Sequence, residues 1–177
     1  DTPANLEIRD RIQRKSVLYG FNGPATLRAA DVRREGFGTR FRAEYNGRSL
    51  GWFALRLPGR HNIANSLAAI GIGRELGVPV NRIRFALAGF QGVRRRIERV
   101  GEVNAVTVFD DYGHHPTEIA VTLQTLREYY PERRIITVFQ PHRYTRTFYL
   151  FDRFALAFTA ADLVIVTDIY PAHELPI

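Results

Sequence analysis

Val106-Thr107-Val108-Phe109, then Asp110-Asp111-Tyr112-Gly113-His114-His115, then Pro116-Thr117-Glu118 is the stretch on which the fold turns. The first four residues are apolar or β-branched and make a short strand. Six polar or small residues follow. Pro116 suits the first position of a helix, where its missing N–H costs nothing. Ile119, Leu123, Leu126 and Tyr130 then recur at helical spacing and form one apolar face. The unit is therefore strand, polar loop, helix, and the pattern continues downstream. Residues 135–139 form a strand, Leu150, Phe151, Phe154 and Phe158 mark a helix, and Leu163-Val164-Ile165-Val166 is a third strand. Short apolar strands alternating with amphipathic helices predict an α/β domain with a mostly parallel sheet, covered on both faces.

Upstream the pattern differs. Residues 1–57 read as strands and turns. Arg40-Phe41-Arg42-Ala43-Glu44-Tyr45 alternates, Asn46-Gly47 is a hairpin turn, and residues 50–57 return as a second strand. Tyr19-Gly20-Phe21 precedes a turn at Asn22-Gly23-Pro24. After the break at Pro58-Gly59, Ile63, Leu67 and Ile70 share one helical face, which Gly77 and Pro79 end. A shorter helix fits residues 80–88. Gln91-Gly92 is the expected boundary, giving two domains, 1–91 and 92–177.

Composition narrows the function classes. The 177 residues are 45% hydrophobic and 24% charged, the profile of a soluble globular protein. No apolar run approaches the ~20 residues of a membrane-spanning helix, and no charged-then-apolar leader opens the chain. There is no cysteine, which removes disulfides, thiolate catalysis and cysteine-bound zinc. A cytoplasmic protein is expected. The chain starts at Asp1, has no methionine and stops soon after a strand, so it reads as a fragment. Net charge is +7, and Lys15 is the only lysine, so the excess is arginine. Arginine recognises phosphate and carboxylate in a planar, bidentate way.

In open α/β sheets, ligands sit beyond the carboxyl ends of the strands. All three downstream strands end in polar loops there: Asp110 to His115, Gln140-Pro141-His142-Arg143-Tyr144-Thr145-Arg146, and Thr167-Asp168-Ile169-Tyr170 followed by His173-Glu174. Four of the five histidines lie in these loops. Asp110 and Asp111 suit a metal ligand, a ribose partner or a helix cap. Neighbouring carboxylates on an extended chain face opposite sides, so one of them, Asp111, is expected to face a ligand. His114 and His115 precede a helix start, which favours an anion or leaves two exposed histidines in a turn. Arg143 and Arg146, three apart, fit an anion clamp with His142 and Tyr144 beside them, or two surface arginines. Asn62 reads most simply as an N-cap. Asn65 lies inside an alanine-rich face where asparagine is a poor helix former, and its amide matches an adenine edge.

With these residues in view, Gly59-Arg60-His61-Asn62 with Asn65 resembles the adenine-binding helix of the Mur ligase superfamily. The stretches Asp110 to Glu118 and Phe139-Gln140-Pro141-His142-Arg143-Tyr144-Thr145-Arg146-Thr147 resemble signatures of its UDP-N-acetylmuramate–L-alanine ligases. The resemblance implies a cytoplasmic three-domain enzyme of peptidoglycan precursor synthesis that uses ATP and Mg2+. Residues 1–91 would end its central ATP-binding domain, and residues 92–177 would form most of its Rossmann-like C-terminal ligase domain. It implies that Asn62, Asn65, Arg96 and Asp111 meet ATP. Tyr112, His114, His142, Arg143 and Arg146 would meet L-alanine and the acyl phosphate, with His114, Arg143 and Arg146 catalytic.

The partners implied are UDP-N-acetylmuramate, L-alanine, ATP and an upstream portion of the same chain, with neither nucleic acid nor membrane. No G-x-x-x-x-G-K-[ST] loop occurs, so the phosphate loop and metal ligands are expected upstream and the fragment alone is expected to be inactive. His173 stands where that family usually has glycine, and Ile97 where an aromatic is usual. Three alternatives carry other predictions. A tripeptide-recycling ligase of the same superfamily shares the first signature but not the second. A metallohydrolase using Asp110, Asp111, His114 and His142 would hold zinc. A basic nucleotide- or nucleic-acid-binding module would bind DNA or RNA in a salt-dependent way.

Overall fold

The computed structural model describes residues 3–177, with side chains from residue 6 onward. The chain divides into two compact units, Asp1–Gly92 and Val93–Ile177, and each is described by itself.

The first unit opens with a helix, α1 (Pro3–Arg11), where strands and turns were expected. The segment has no period-2 alternation, and Glu7 pairs with Arg11 one turn later at 2.7 Å. That order, acid before base, supports a helix. Four strands follow: β1 (Tyr19–Gly20), β2 (Leu27–Glu35), β3 (Gly38–Tyr45) and β4 (Arg48–Leu55). They lie in the order β1-β2-β3-β4, parallel between the first two and antiparallel elsewhere. Asn46 and Gly47 make the expected β3–β4 turn, both at positive φ (50° and 75°), as a tight twisted hairpin requires.

Two helices, α2 (Arg60–Glu75) and α3 (Val80–Gly89), cover one face of the sheet. Alternate strand residues Leu27, Ala29, Phe41, Ala43, Phe53 and Leu55 meet Ile63, Leu67, Ile70 and Ile83 in one core. Phe41 and Phe53 are register partners whose rings stack at 5.8 Å.

In β4 the register slips between Ala43 and Glu44, leaving Leu50 as an extra residue. Gly51 beside it has φ 89°, and the Leu50 carbonyl accepts a 2.8 Å hydrogen bond from the Arg84 guanidinium. A Cβ at Gly51 would lie 2.9 Å from that guanidinium. Gly51→Ala is expected to cost roughly 1–2 kcal/mol from the left-handed backbone alone, read as a drop in the urea midpoint. An unchanged midpoint would refute it.

The second unit contains β5 (Glu98–Val103), β6 (Val106–Asp110), α4 (Pro116–Tyr129), β7 (Ile136–Phe139), α5 (Tyr144–Tyr149), α6 (Phe151–Ala157) and β8 (Leu163–Val166). The α/β architecture is as expected, and β7 and β8 pair in parallel from Ile136↔Leu163 to Phe139↔Val166. Two details depart from the sequence reading. First, β6 pairs antiparallel with β5, a charged strand that periodicity does not flag. Their turn, Asn104-Ala105, has positive φ at both positions without the glycine that advertises such turns. Second, the sheets are not covered on both faces. Helices α4 and α6 pack together on the Phe139 side, where Ile119, Leu123, Phe139, Phe154 and Ala157 form the core. Val106, Val108, Ile136, Val138 and Ile165, which point away, are exposed.

Candidate functional site

The loops that follow β6, β7 and β8 carry the candidate site of the second unit, and hydrogen bonds within and between them set its shape. Asp111 accepts from the Gly113 N–H through Oδ1 (2.7 Å) and from the Ile97 N–H through Oδ2 (2.8 Å). It thus ties the turn after β6 to the segment before β5. Tyr112 N–H closes the same junction on the Arg95 carbonyl at 2.7 Å. Asp110 turns the other way and pairs with Arg95 at 3.2 Å. The two acids do face different partners, and Asp111 spends part of its acceptor capacity on the backbone. Among the described residues no group of three or more His, Asp or Glu is placed to hold a metal.

His115 is the N-cap of α4. Its Nδ1 accepts from the Thr117 N–H at 3.2 Å, and Glu118 accepts from the His114 and His115 N–H groups at 3.1 and 3.2 Å. This reciprocal capping engages N–H groups at the helix start, where the sequence left open an anion or two exposed histidines in a turn. Glu118 also takes a 3.2 Å hydrogen bond from Arg96. It is the site residue that sequence reasoning left out, although a Glu three residues after a cap is a readable signal. Burial pushes its carboxyl up, but the His114 N–H, Arg96 and the His115 N–H hold it below the ordinary 4.5.

His114 Nδ1 lies 3.2 Å from the Tyr112 carbonyl and 3.7 Å from Glu118. Two acceptors there place the proton on Nδ1, which leaves Nε2 as the acceptor of the neutral ring. The rings of Tyr112 and His114 meet edge-on at 5.3 Å, and those of His114 and His142 approach to 6.2 Å. Arg95 lies over Tyr112 at 4.9 Å. Tyr112, His114 and His142 therefore lie side by side.

His142 and Tyr170 form a parallel bridge that prolongs the β7–β8 pairing, with their rings 5.4 Å apart. Arg146 approaches His142 Nδ1 and its carbonyl, each at 3.4 Å. A guanidinium only donates, so His142 Nδ1 is the acceptor and Nε2 carries the proton. Burial, then Arg146, Arg143 and His114, lower the His142 pKa below 6.5, against a smaller opposing effect of Glu174. Arg143 is the residue before α5 and has φ 73°, a strained backbone for a side chain without a local reason to adopt it. Its guanidinium lies 3.8 Å from Glu174. Glu174 is held low by the Thr145 N–H and hydroxyl, burial opposing and Arg143 assisting. Ile97 and His173, the two departures from the family pattern, both have positive φ (49° and 69°). At His173 this is the backbone shape for which glycine is best suited.

Every resolved shift named here is downward, so the sign is common. A lowered pKa contributes stability that is present above the unfolded value and lost as pH falls through the folded one. The share of His142 goes as pH falls from 6.5 toward its depressed value, and those of Glu118 and Glu174 go below 4.5. Thermal melting at constant ionic strength is expected to show the second unit weakening from pH 7 to 4. A rise in stability over that range would contradict the assigned contacts.

The first unit carries the other two candidates. Asn62 is not the N-cap; Gly59 is, and Asn62 in the first turn of α2 donates its amide to the Pro58 carbonyl at 2.7 Å. That bond ties the amide back to the Pro58-Gly59 turn. Asn65 is exposed on the next turn. Among the described residues no helix is long and apolar enough to cross a membrane.

Known proteins bear on these observations. Residues 1–73 match the Mur ligase middle domain, and residues 95–176 match the Mur ligase, glutamate ligase domain. The chain is 46% identical over all 177 residues to the UDP-N-acetylmuramate–L-alanine ligase of Salinibacter ruber, covering 37% of that protein. It is 51% identical over 166 residues, or 94% of its length, to the ligase of the same name from Desulfatibacillum aliphaticivorans, covering 36% of it. The crystal structure of the UDP-N-acetylmuramate-alanine ligase of Thermotoga maritima superimposes with a TM-score of 0.76 and 33% identity, over 87% of this chain and 34% of that one. The chain thus spans a little over a third of the length of the curated relatives it matches. The two domain matches together take in most of the chain, and the chain belongs to the Mur ligase family.

Proposed function

We propose that the chain is part of an enzyme that joins L-alanine to UDP-N-acetylmuramate at the expense of ATP. The observation that carries this reading is the convergence of Tyr112, His114 and His142, with Arg143 and Arg146 adjoining, in a chain 46% identical to a ligase of that name. In the reaction the γ-phosphoryl group of ATP moves to the lactyl carboxylate, giving ADP and an acyl phosphate. The alanine amine then attacks the acyl carbon, an amide forms and phosphate leaves. This mixed anhydride supplies, as phosphate, the leaving group that a bare carboxylate lacks.

The residues divide this work by their chemistry. Arg143 and Arg146 are the partners for the alanine carboxylate, since a guanidinium binds a carboxylate bidentately. His142 donates from Nε2 toward the same anion. His114, with Nε2 free as an acceptor, takes the proton that the alanine ammonium must lose before it attacks. Arg96 and Asp111 meet the nucleotide, and Asn62 and Asn65 in the first unit meet adenine, as the family resemblance implies. Magnesium would neutralise charge on the transferring phosphoryl group. Its ligands are not assigned among residues 3–177.

The test is alanine-dependent ADP release with UDP-N-acetylmuramate, measured on the full-length protein. Activity that requires all three substrates is expected, and none is expected from residues 1–177 alone. ADP release that ignores alanine, or that follows a preformed tripeptide instead, would sink the reading.

A further inference from the structure

Glu174 lies in the loop after β8, thirty-one positions beyond Arg143 in the chain, yet it is bound to the segment that carries the two arginines. Its Oε2 accepts the Thr145 N–H at 3.0 Å and its Oε1 accepts the Thr145 hydroxyl at 2.7 Å. The same Oε1 lies 3.8 Å from the Arg143 guanidinium. Two further bonds join the two loops. The Arg143 N–H donates to the Tyr170 carbonyl at 2.8 Å and the Tyr170 N–H donates to the Pro141 carbonyl at 2.8 Å, which together make the parallel bridge between His142 and Tyr170. On the other side, the Arg143 carbonyl accepts from the Thr147 N–H at 3.2 Å and its hydroxyl at 2.8 Å.

Arg143 sits at φ 73° between these bonds. A left-handed arginine persists only where its surroundings over-determine it. Both its N–H and its carbonyl are engaged, and Glu174 fixes the residue two places on. The direction of the Arg143 side chain, and the offset between Arg143 and Arg146, follow from this backbone. Glu174 does this with one carboxylate against two donors of a single residue.

We infer that Glu174 is a positioning residue for the carboxylate clamp of Arg143 and Arg146, holding through Thr145 the turn that aims both guanidinium groups. The inference rests on the proposed reading that this clamp binds the carboxylate of the amino-acid substrate. Glu174 itself stays off the substrate. It also reduces the net positive charge beside Arg143, so its removal misaims the clamp while leaving its cations in place.

Two measurements test this. In the full-length protein, Glu174→Ala is expected to raise the KM for alanine about tenfold, the worth of roughly one charge-assisted hydrogen bond. The kcat and the KM values for ATP and the UDP-sugar are expected to stay within about twofold. Glu174→Gln keeps an acceptor for the Thr145 N–H and is expected to recover part of the loss. An alanine KM unchanged in both variants, or all three KM values rising together, would overturn the inference. In the full-length protein, the Thr145 backbone N–H resonance is expected to be slow to exchange because Glu174 accepts it, and to shift and lose that protection in Glu174→Ala. An unmoved resonance would overturn the inference whether or not the ligase reading stands. A wild-type enzyme that releases no ADP with alanine would instead remove the ligase reading alone.

Discussion

Phe41→Ala is expected to destabilise the first unit by about 3–5 kcal/mol. Phe41 is fully buried, stacks on Phe53 across the β3–β4 pair and lies in the core with Ile63, Leu67 and Ile70. Removing the ring takes away its transfer free energy and leaves a cavity lined by groups fixed to a sheet and two helices. Such a lining relaxes little, which places the loss toward the upper end for large-to-small changes. Trp52 is the only tryptophan and lies on β4, so its fluorescence follows this unit during urea unfolding. Phe41→Leu keeps most of the volume and is expected to lose about half as much or less. A shift below roughly 1 kcal/mol for Phe41→Ala would mean that the ring is not the centre of this core.

The second large effect is functional. In the full-length protein, Arg143→Ala is expected to cost about 1.5–3 kcal/mol of alanine binding, the range for a hydrogen bond to a charged group. That is roughly a ten- to hundredfold rise in KM. Arg143→Lys keeps the charge but loses the planar fork, so it is expected to recover little. Because Arg143 holds φ 73°, Arg143→Gly separates two contributions. It relieves the backbone and removes the guanidinium, so it should be no less stable than wild type and as impaired as alanine. Steady-state kinetics with alanine varied, beside thermal melts of each variant, gives both numbers. An unchanged alanine KM and kcat in Arg143→Ala would remove this residue from the substrate site.

Much of this was legible in the sequence, and the misses have physical causes. The β6–loop–α4 unit announces itself because Pro116, the apolar repeat and the polar loop all agree. The β3–β4 hairpin is as plain, since Asn46-Gly47 leaves few alternatives. By contrast, β5 is half charged and solvent-facing, and its pairing with β6 depends on a turn without glycine. Helix α1 is short and polar on all sides, so no periodicity marks it. The exposed outer faces of β6, β7 and β8 could not be inferred from apolar strands, which read the same whether one face or two are covered.

At the candidate site, the loop residues were readable because chemistry concentrates there. Their partners were less so. Glu118 is local to its cap, but Glu174 reaches Thr145 across twenty-nine residues, and no local pattern encodes such a contact. Asn62 was misread in a related way. A cap-forming residue type near a helix start suggests an N-cap, whereas here Gly59 takes that place at φ 88° and the amide bonds backward to Pro58.

Three arginines around the second unit's loops each keep company with an acid of the same unit: Arg95 with Asp110, Arg96 with Glu118, and Arg143 with Glu174. An arriving anion therefore meets cations whose fields are already partly spent. Its grip is looser than bare guanidinium groups would give, and its escape is correspondingly quicker. On the proposed ligase reading, in which inorganic phosphate leaves after every cycle, half-neutralised arginines favour turnover over retention.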